Sequence, residues 1–373
     1  MTSSSPLGHP FDLAGCFAPD YAAARARFLA AAGSAGAALR SYENTLRGPA
    51  GEALATDVAW FGPTDAGRVL ALQAGTHGVE GFTGSAAMLD FLATGAAGRL
   101  PPGTAVLMIH AINPHGFAWI RRVTEENVDL NRNFVDFSAP LPENPGHDEL
   151  ADALVPREIS GPVFAAAEAK IADYRARHGE KAFQIARSGG QYRHEKSMFF
   201  GGKGPTWARR TLERILDDHA LAARHHTAVI DYHTGLGPFG YGEPICGHDP
   251  GTPGLARSLA WYGDSVTSPV AGTSSSVVKL GLNEQGWIAR LGDRVTFVSL
   301  EYGTYPPEQG RRALREDHWL HAHTTVDWHA PETRRIKAQL RRQFFPDSDD
   351  WKEMVLFRSR QILRQALAGL AAT

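Results

Sequence analysis

The run Val69-Leu70-Ala71-Leu72-Gln73-Ala74, closing on Gly75-Thr76-His77-Gly78-Val79-Glu80-Gly81, constrains this chain more than any other stretch. A short, mostly apolar segment that stops at a cluster of glycines reads as a buried strand ending in a tight turn. From Phe82 the spacing changes, because Phe82, Ala86, Leu89 and Ala93 fall on one side of a helix. A second apolar run, Thr104–His110, then reads as another strand. Strand, helix and strand in this order form a crossover unit, which requires at least partly parallel sheet. The predicted fold class is therefore α/β: one domain with a twisted, mixed sheet flanked by helices.

The rest of the chain fits that frame. Further strands are predicted at Thr56–Phe61, Thr227–Tyr232, Ser265–Val270 and Val295–Leu300. Helices are predicted at Tyr21–Ala32, with Asp20 as N-cap, and at Gly161–Arg177, Trp207–Ala223, Pro307–Ala322, Pro331–Phe344 and Asp349–Leu370. Between Pro140 and Ala223 strand character lapses, and a proline-rich connection leads into helix-like runs around a glycine-rich aromatic stretch. Strand character resumes at Thr227, so this segment reads as a helical excursion within a single domain spanning residues 1–373.

Composition excludes several classes. With 43% hydrophobic and 21% charged residues, the chain can build a sizeable core. A net charge of -2 offers no field that would gather nucleic acid or an anionic membrane. Cys16 and Cys246 are too few and too far apart for a disulfide framework, which suits a reducing cytoplasm. The N-terminal segment lacks a basic region followed by an apolar one, so no secretory leader is expected. The expected setting is cytoplasmic, without nucleic-acid or membrane partners, and homo-oligomer formation stays open.

Chemistry concentrates in four places. His77 closes the first strand and Glu80 follows three residues on, so both side chains can face one point. Asp231-Tyr232-His233-Thr234-Gly235 closes another strand with a second histidine. Among 16 histidines a lone strand-end His carries little, but two such ends and a glycine-flanked His–Glu pair read together as a zinc site. His77, Glu80 and His233 would bind one Zn2+ ion and leave a fourth position for water. Asn131-Arg132, within Asn127–Phe134, offers an amide and a guanidinium fork that matches a carboxylate. An isolated Arg is more often tied to a surface acid. Arg121 and Arg122, just upstream, are cations able to face a developing oxyanion. Finally, Glu301 closes the apolar strand Val295–Leu300, where an unpaired carboxylate is poorly solvated. At the mouth of a zinc site it would carry a proton to and from water.

Taken as a set, His77-x-x-Glu80, Asn131-Arg132, His233 and Glu301 resemble the zinc carboxypeptidase superfamily in order and spacing. That superfamily takes in the digestive-type metallocarboxypeptidases and the aspartoacylase/succinylglutamate desuccinylase branch. The Asn113-Pro114-His115-Gly116 turn and the Asp129-Leu130-Asn131-Arg132-Asn133-Phe134 segment resemble the peptidase pattern. The Gly75–Gly81 form is similar to an uncharacterised bacterial subgroup, and the likeness spans about Arg68 to Thr304. It implies zinc on His77, Glu80 and His233, Glu301 as general base and then acid, and Asn131 with Arg132 on the substrate carboxylate. Arg122, or Arg121 in reserve, would face the oxyanion. Tyr241 is a candidate for the substrate-capping tyrosine of the peptidase branch, and His110 and His115 are candidate partners behind the ligands.

The expected activity is hydrolysis of an amide or peptide bond near a free carboxylate, as in a carboxypeptidase. The substrate would be a peptide or small molecule. An N-acyl amino acid deacylase of the aspartoacylase type, an esterase, and a non-catalytic zinc or peptide-end binding module are the alternatives. Glu301 separates the last from the rest, since a binding module has no use for a carboxylate beside the zinc.

Overall fold

The computed structural model describes residues 11–373, so the N-terminal segment that bears on a leader lies outside the described residues. Seven strands form one sheet: β1 (Ala38–Arg47), β2 (Ala53–Phe61), β3 (Arg68–Gln73), β4 (Thr104–His110), β5 (His226–Phe239), β6 (Gly242–Ile245) and β7 (Val295–Gly303). Their order across the sheet is β1-β2-β4-β3-β5-β7-β6. β4, β3, β5 and β7 pair in parallel, while β1, β2 and β6 add antiparallel at the margins.

Side-chain alternation along β3 sorts the core into two halves. Leu70 and Leu72 pack with Phe82, Met88, Met108 and Ile230 on one face. Val69 and Ala71 pack with Leu107, Val229, Trp287 and Phe297 on the other. Helices Tyr21–Ser34, Gly81–Ala93 and Asp349–Ala371 cover the first face, and Trp207–Asp218 with Asn283–Leu291 cover the second. Covering both faces explains the near-continuous apolar runs of the central strands. Each fully buried Leu, Phe or Met side chain contributes about 1.5–3 kcal/mol relative to exposure. Breaking one face therefore removes more than most domains hold in reserve.

β3 connects through Gly81–Ala93 to β4 on one side, while β5 joins it on the other. The carboxyl ends of β3 and β5 thus flank a topological switch point, where open α/β sheets bind their ligands.

Several expectations need correction. Ser265–Val270 is not a strand and contributes only one bridge, Thr267 to Ile245. The edge strands β1 and β6 went unpredicted because neither has a core-facing pattern: β1 is mostly exposed, and β6 is four residues long with Pro244 inside. β5 does not stop at Tyr232 but runs to Phe239, so His233 sits within a strand. Helix Gly81–Ala93 is buried nearly all round, not on one side, because it lies between the sheet and two other helices. Within the excursion, helix Gly161–Ser188 runs past Arg177, and Trp207–Asp218 belongs to the core beneath the sheet. Both cysteines are buried and free, and no helix of the described residues is long and apolar enough to cross a membrane.

Candidate metal centre

The turn after β3 is shaped by close backbone approach. A Cβ on Gly78 would stand 2.0 Å from the carbonyl carbon of Gly116, so only glycine lets the two turns meet. Gly78 N and Val79 N donate to the carbonyls of Arg122 and Arg121 at 3.2 and 2.8 Å, binding this turn to the downstream arginine segment. His77 is extended, and Glu80 ends a short 3-10 turn, Gly78–Glu80, that runs directly into helix Gly81–Ala93. On β5, Asp231 and His233 stand two residues apart and share one face of the strand.

Donor atoms of three residues converge from these elements. His77 Nδ1 lies 2.9 Å from Glu80 Oε1, His233 Nδ1 lies 3.0 Å from Glu80 Oε2, and the two Nδ1 atoms are 3.2 Å apart. Ligands arranged tetrahedrally at about 2.0–2.1 Å from one zinc ion stand roughly 3.3 Å from each other. All three residues are buried. Behind them stand carboxylates: Asp231 Oδ2 takes a hydrogen bond from His233 Nε2 at 2.8 Å, and Asp129 Oδ1 faces His77 Nε2 at 3.3 Å. A proton held on His233 Nε2 leaves the Nδ1 lone pair for a cation, which is how a carboxylate behind a ligand fixes its tautomer.

The electrostatics agree. Burial opposes charge on His233, yet Asp231 and Glu80 outweigh it and hold the imidazole well above its ordinary range. A point that holds a proton so firmly is favourable for any cation. Burial likewise opposes ionisation of Glu80, and the two histidines reverse it, keeping the carboxyl well below the usual range. The donor set and its field fit a divalent ion that takes nitrogen and oxygen ligands.

Glu301 is the register neighbour of His233 on β7. It is 9% exposed, and its Oε1 accepts one hydrogen bond, from Leu236 N at 3.0 Å. Burial, with Glu80 nearby, pushes its carboxyl above the usual range. Glu301 also lines a cavity of about 130 Å³ with His77, Glu80, Arg122 and Arg132. An adjoining cavity of about 210 Å³ shares His77, Lys279 and Glu301 with the first.

Comparison with known proteins adds a family and a fold. Residues 17–358 match the family described as "Protein of unknown function (DUF2817)". The chain belongs to that family. No curated protein sequence matches it significantly. Among solved structures, carboxypeptidase A from Helicoverpa armigera is 13% identical, over 95% of this chain and 74% of that one, with a TM-score of 0.50. At that identity the likeness is one of fold, and the fold of this DUF2817 protein is carboxypeptidase-like. The metallo-carboxypeptidase of Pseudomonas aeruginosa also matches, at 10% identity over 91% and 68% of the two chains, TM-score 0.39. The succinylglutamate desuccinylase of Chromobacterium violaceum is 16% identical over 89% and 76%, TM-score 0.36.

The structure separates the two adjacent arginines. Arg122 donates to Glu80 Oε1 and Asp129 Oδ2 at 3.2 and 3.0 Å, beside the donor set. Arg121 turns away and is held by Asp317 and Asn127 at 3.0 and 2.9 Å, so it lines neither cavity. Asn131 and Arg132 are likewise divided. Arg132 lines the first cavity, with Nη1 and Nη2 donating to the carbonyls of Asn131 and Ser188 and its Nε buried without a partner. Asn131 lines the adjoining cavity, its Oδ1 accepting from Asn283 N at 2.9 Å. Tyr241 lies outside both cavities, 43% exposed on the turn between β5 and β6, because β5 runs on past His233 before turning. His110 bonds Ser85 and stacks on Phe28, and His115 stacks on Trp119, so the expected role behind the ligands falls to Asp129 and Asp231.

Those two aspartates carried a signal, since each lies two residues from a site residue in the same strand or turn. Lys279 carried none. It enters the site from the loop before Asn283, is half-buried, and donates to Ser276 Oγ at 2.5 Å. Burial, then Arg132 and Arg122, push its ammonium down to about 7.

Proposed function

We propose that this protein is a zinc-dependent hydrolase that cuts an amide or peptide bond beside a free carboxylate. The observation that carries the reading is Glu301, a buried carboxylate next to the His77–Glu80–His233 donor set and almost free of partners. A structural carboxylate at such a depth is normally paired several times over. Zinc held by those three residues would supply Lewis acidity, polarising the scissile carbonyl and making water a better nucleophile.

The chain's own residues supply the rest. Arg132, a buried cation of the cavity wall with no carboxylate of the described residues hydrogen-bonded to it, receives the substrate carboxylate and so orients the bond before attack. Glu301 takes a proton from the attacking water and returns it to the leaving amine. Its raised carboxyl pKa suits a base that works near neutral pH. Arg122 bonds its acids through Nε and Nη1, which leaves Nη2 to face the oxygen on which negative charge develops. Asn131 acts from the adjoining cavity, on the part of the substrate that reaches beyond Glu301.

A second reading, an N-acyl amino acid deacylase, is favoured by the cavity's size. At about 130 Å³, and walled by Met198 and Phe199 of the excursion, it suits a residue-sized group. The test is a profile of the zinc-loaded protein on peptides with free and amidated carboxyl ends and on N-acyl amino acids. Turnover confined to free carboxylates supports the reading, and the better class decides between peptidase and deacylase. His77→Ala should lower zinc content well below one equivalent after mild chelation that leaves the wild type loaded. No turnover of any substrate by zinc-loaded wild type would leave a binding module.

A further inference from the structure

The cavity holds more positive charge than the proposed reaction uses. Arg187, near the end of helix Gly161–Ser188, and Arg311, early in helix Pro307–His323, both line it. The guanidinium of Arg187 has no ion pair and no hydrogen bond among the described residues. Its Nε is buried without a partner, and its Cζ rests 5.8 Å from the Phe183 ring centre. Arg311 gives Nε and Nη2 to Glu308, but its Nη1 is buried without a hydrogen bond, and Glu168 stays 3.9 Å away. Partly desolvating the unpaired Arg187 guanidinium is costly, and setting it near Arg311, whose acids leave Nη1 without a hydrogen bond, adds repulsion.

The cavity's own acids do not relieve this. Glu80 and Glu301 are its two carboxylates; Glu80 is engaged by Arg122 and the histidines, and Glu301 borders the donor set. Nor does Arg187 duplicate Arg132. The charges that act on Arg187 are Arg311, Glu308, Glu180 and Arg175, whereas those acting on Arg132 are Asp129, Arg122 and Tyr192. Arg132 is held by the carbonyls of Asn131 and Ser188, whereas Arg187 rests on the Phe183 ring, so the two guanidinium groups line the cavity from different supports.

We infer that Arg187 and Arg311 form a second anion subsite, and that the substrates are dianions. One carboxylate sits beside the scissile bond at Arg132, and a second acidic group, on the substrate's side chain or acyl part, pairs with the guanidinium groups of Arg187 and Arg311 where they line the cavity. Guanidinium favours this chemistry because its planar donors match a carboxylate or phosphonate edge. The inference rests on the carboxylate-directed hydrolase reading and names its substrate class.

Calorimetric titration of the zinc-loaded full chain with glutarate, 3-phosphonopropionate and butyrate tests it without requiring turnover. Both dianions should bind about tenfold or more tighter than butyrate, and the tighter of the two identifies the second acidic group. Arg187→Gln and Arg311→Gln should each erase that preference while leaving butyrate binding unchanged. Peptides ending in Glu should likewise exceed those ending in Gln in kcat/KM, through Arg187. Equal binding of butyrate and both dianions by the wild type overturns the subsite, whatever the variants do. A protein that turns over nothing yet keeps the Arg187-dependent preference retains the subsite and fails as a hydrolase. One that cleaves substrates equally well with and without a second acidic group, whether in the side chain or in the acyl part, does the reverse.

Discussion

Arg121 and Arg122 are neighbours in sequence that end in two buried ionic clusters of opposite design. Around Arg121 the charges close on one another. Asp317 takes Lys337 Nζ at 2.6 Å and Arg121 Nε at 3.0 Å, while Arg121 Nη2 bonds Asn127. Around Arg122 they do not. Asp129 and Asp231 back two histidines whose Nδ1 atoms converge with Glu80, and Glu301 stands beside them with one backbone partner. A closed cluster can only hold helices together. An open one, with lone pairs converging on a point, is costly until a cation or substrate completes it.

The sharpest way to break this comparison is Glu301→Gln. The amide keeps the shape but accepts no proton, so turnover should fall by about 10²–10⁴-fold, towards the upper end because one group serves as base and acid. Zinc content, melting temperature and the affinity for a carboxylate inhibitor should stay near wild type. Loss of zinc would move Glu301 into the ligand set and demote Glu80. Unchanged turnover would assign the proton transfer to another residue.

Asp317→Ala should show the opposite pattern. Leaving Lys337 and Arg121 without their shared acid should cost about 3–5 kcal/mol in urea unfolding, with zinc stoichiometry of the folded protein intact. A stability within error of wild type would show that the closed cluster holds nothing together.

Arg132→Ala should weaken substrates with a free carboxylate by about 2–5 kcal/mol in kcat/KM and spare amidated analogues. Equal losses on both would remove Arg132 from carboxylate recognition. The smallest effect belongs to Tyr241→Phe. An exposed tyrosine outside both cavities should shift stability by no more than about 0.5 kcal/mol and leave KM unchanged. A KM raised severalfold would bring Tyr241 back as a cap over bound substrate.

Legibility followed local physics. The parallel core was readable because β3, β4 and β7 are apolar runs bounded by turn signals, and both faces of the sheet are covered. The edge strands were not, since β1 is defined by its pairing with β2 and not by its own pattern. The ligand candidates were readable for a related reason. His77 with Glu80, and Asp231 with His233, are spacings that place side chains together within one element.

What the sequence by itself determined is thus the candidate donors and the strands and turn that carry them, because strand period and turn chemistry act over a few residues. Tertiary structure alone decided which of two adjacent arginines meets Glu80, and how Asn131 and Arg132 divide between two cavities. It also decided that Lys279, Arg187 and Arg311 enter the same cavity. Those outcomes depend on helices and loops far apart in the chain. A side chain's partner across such a distance is fixed by packing and desolvation, which no local pattern encodes.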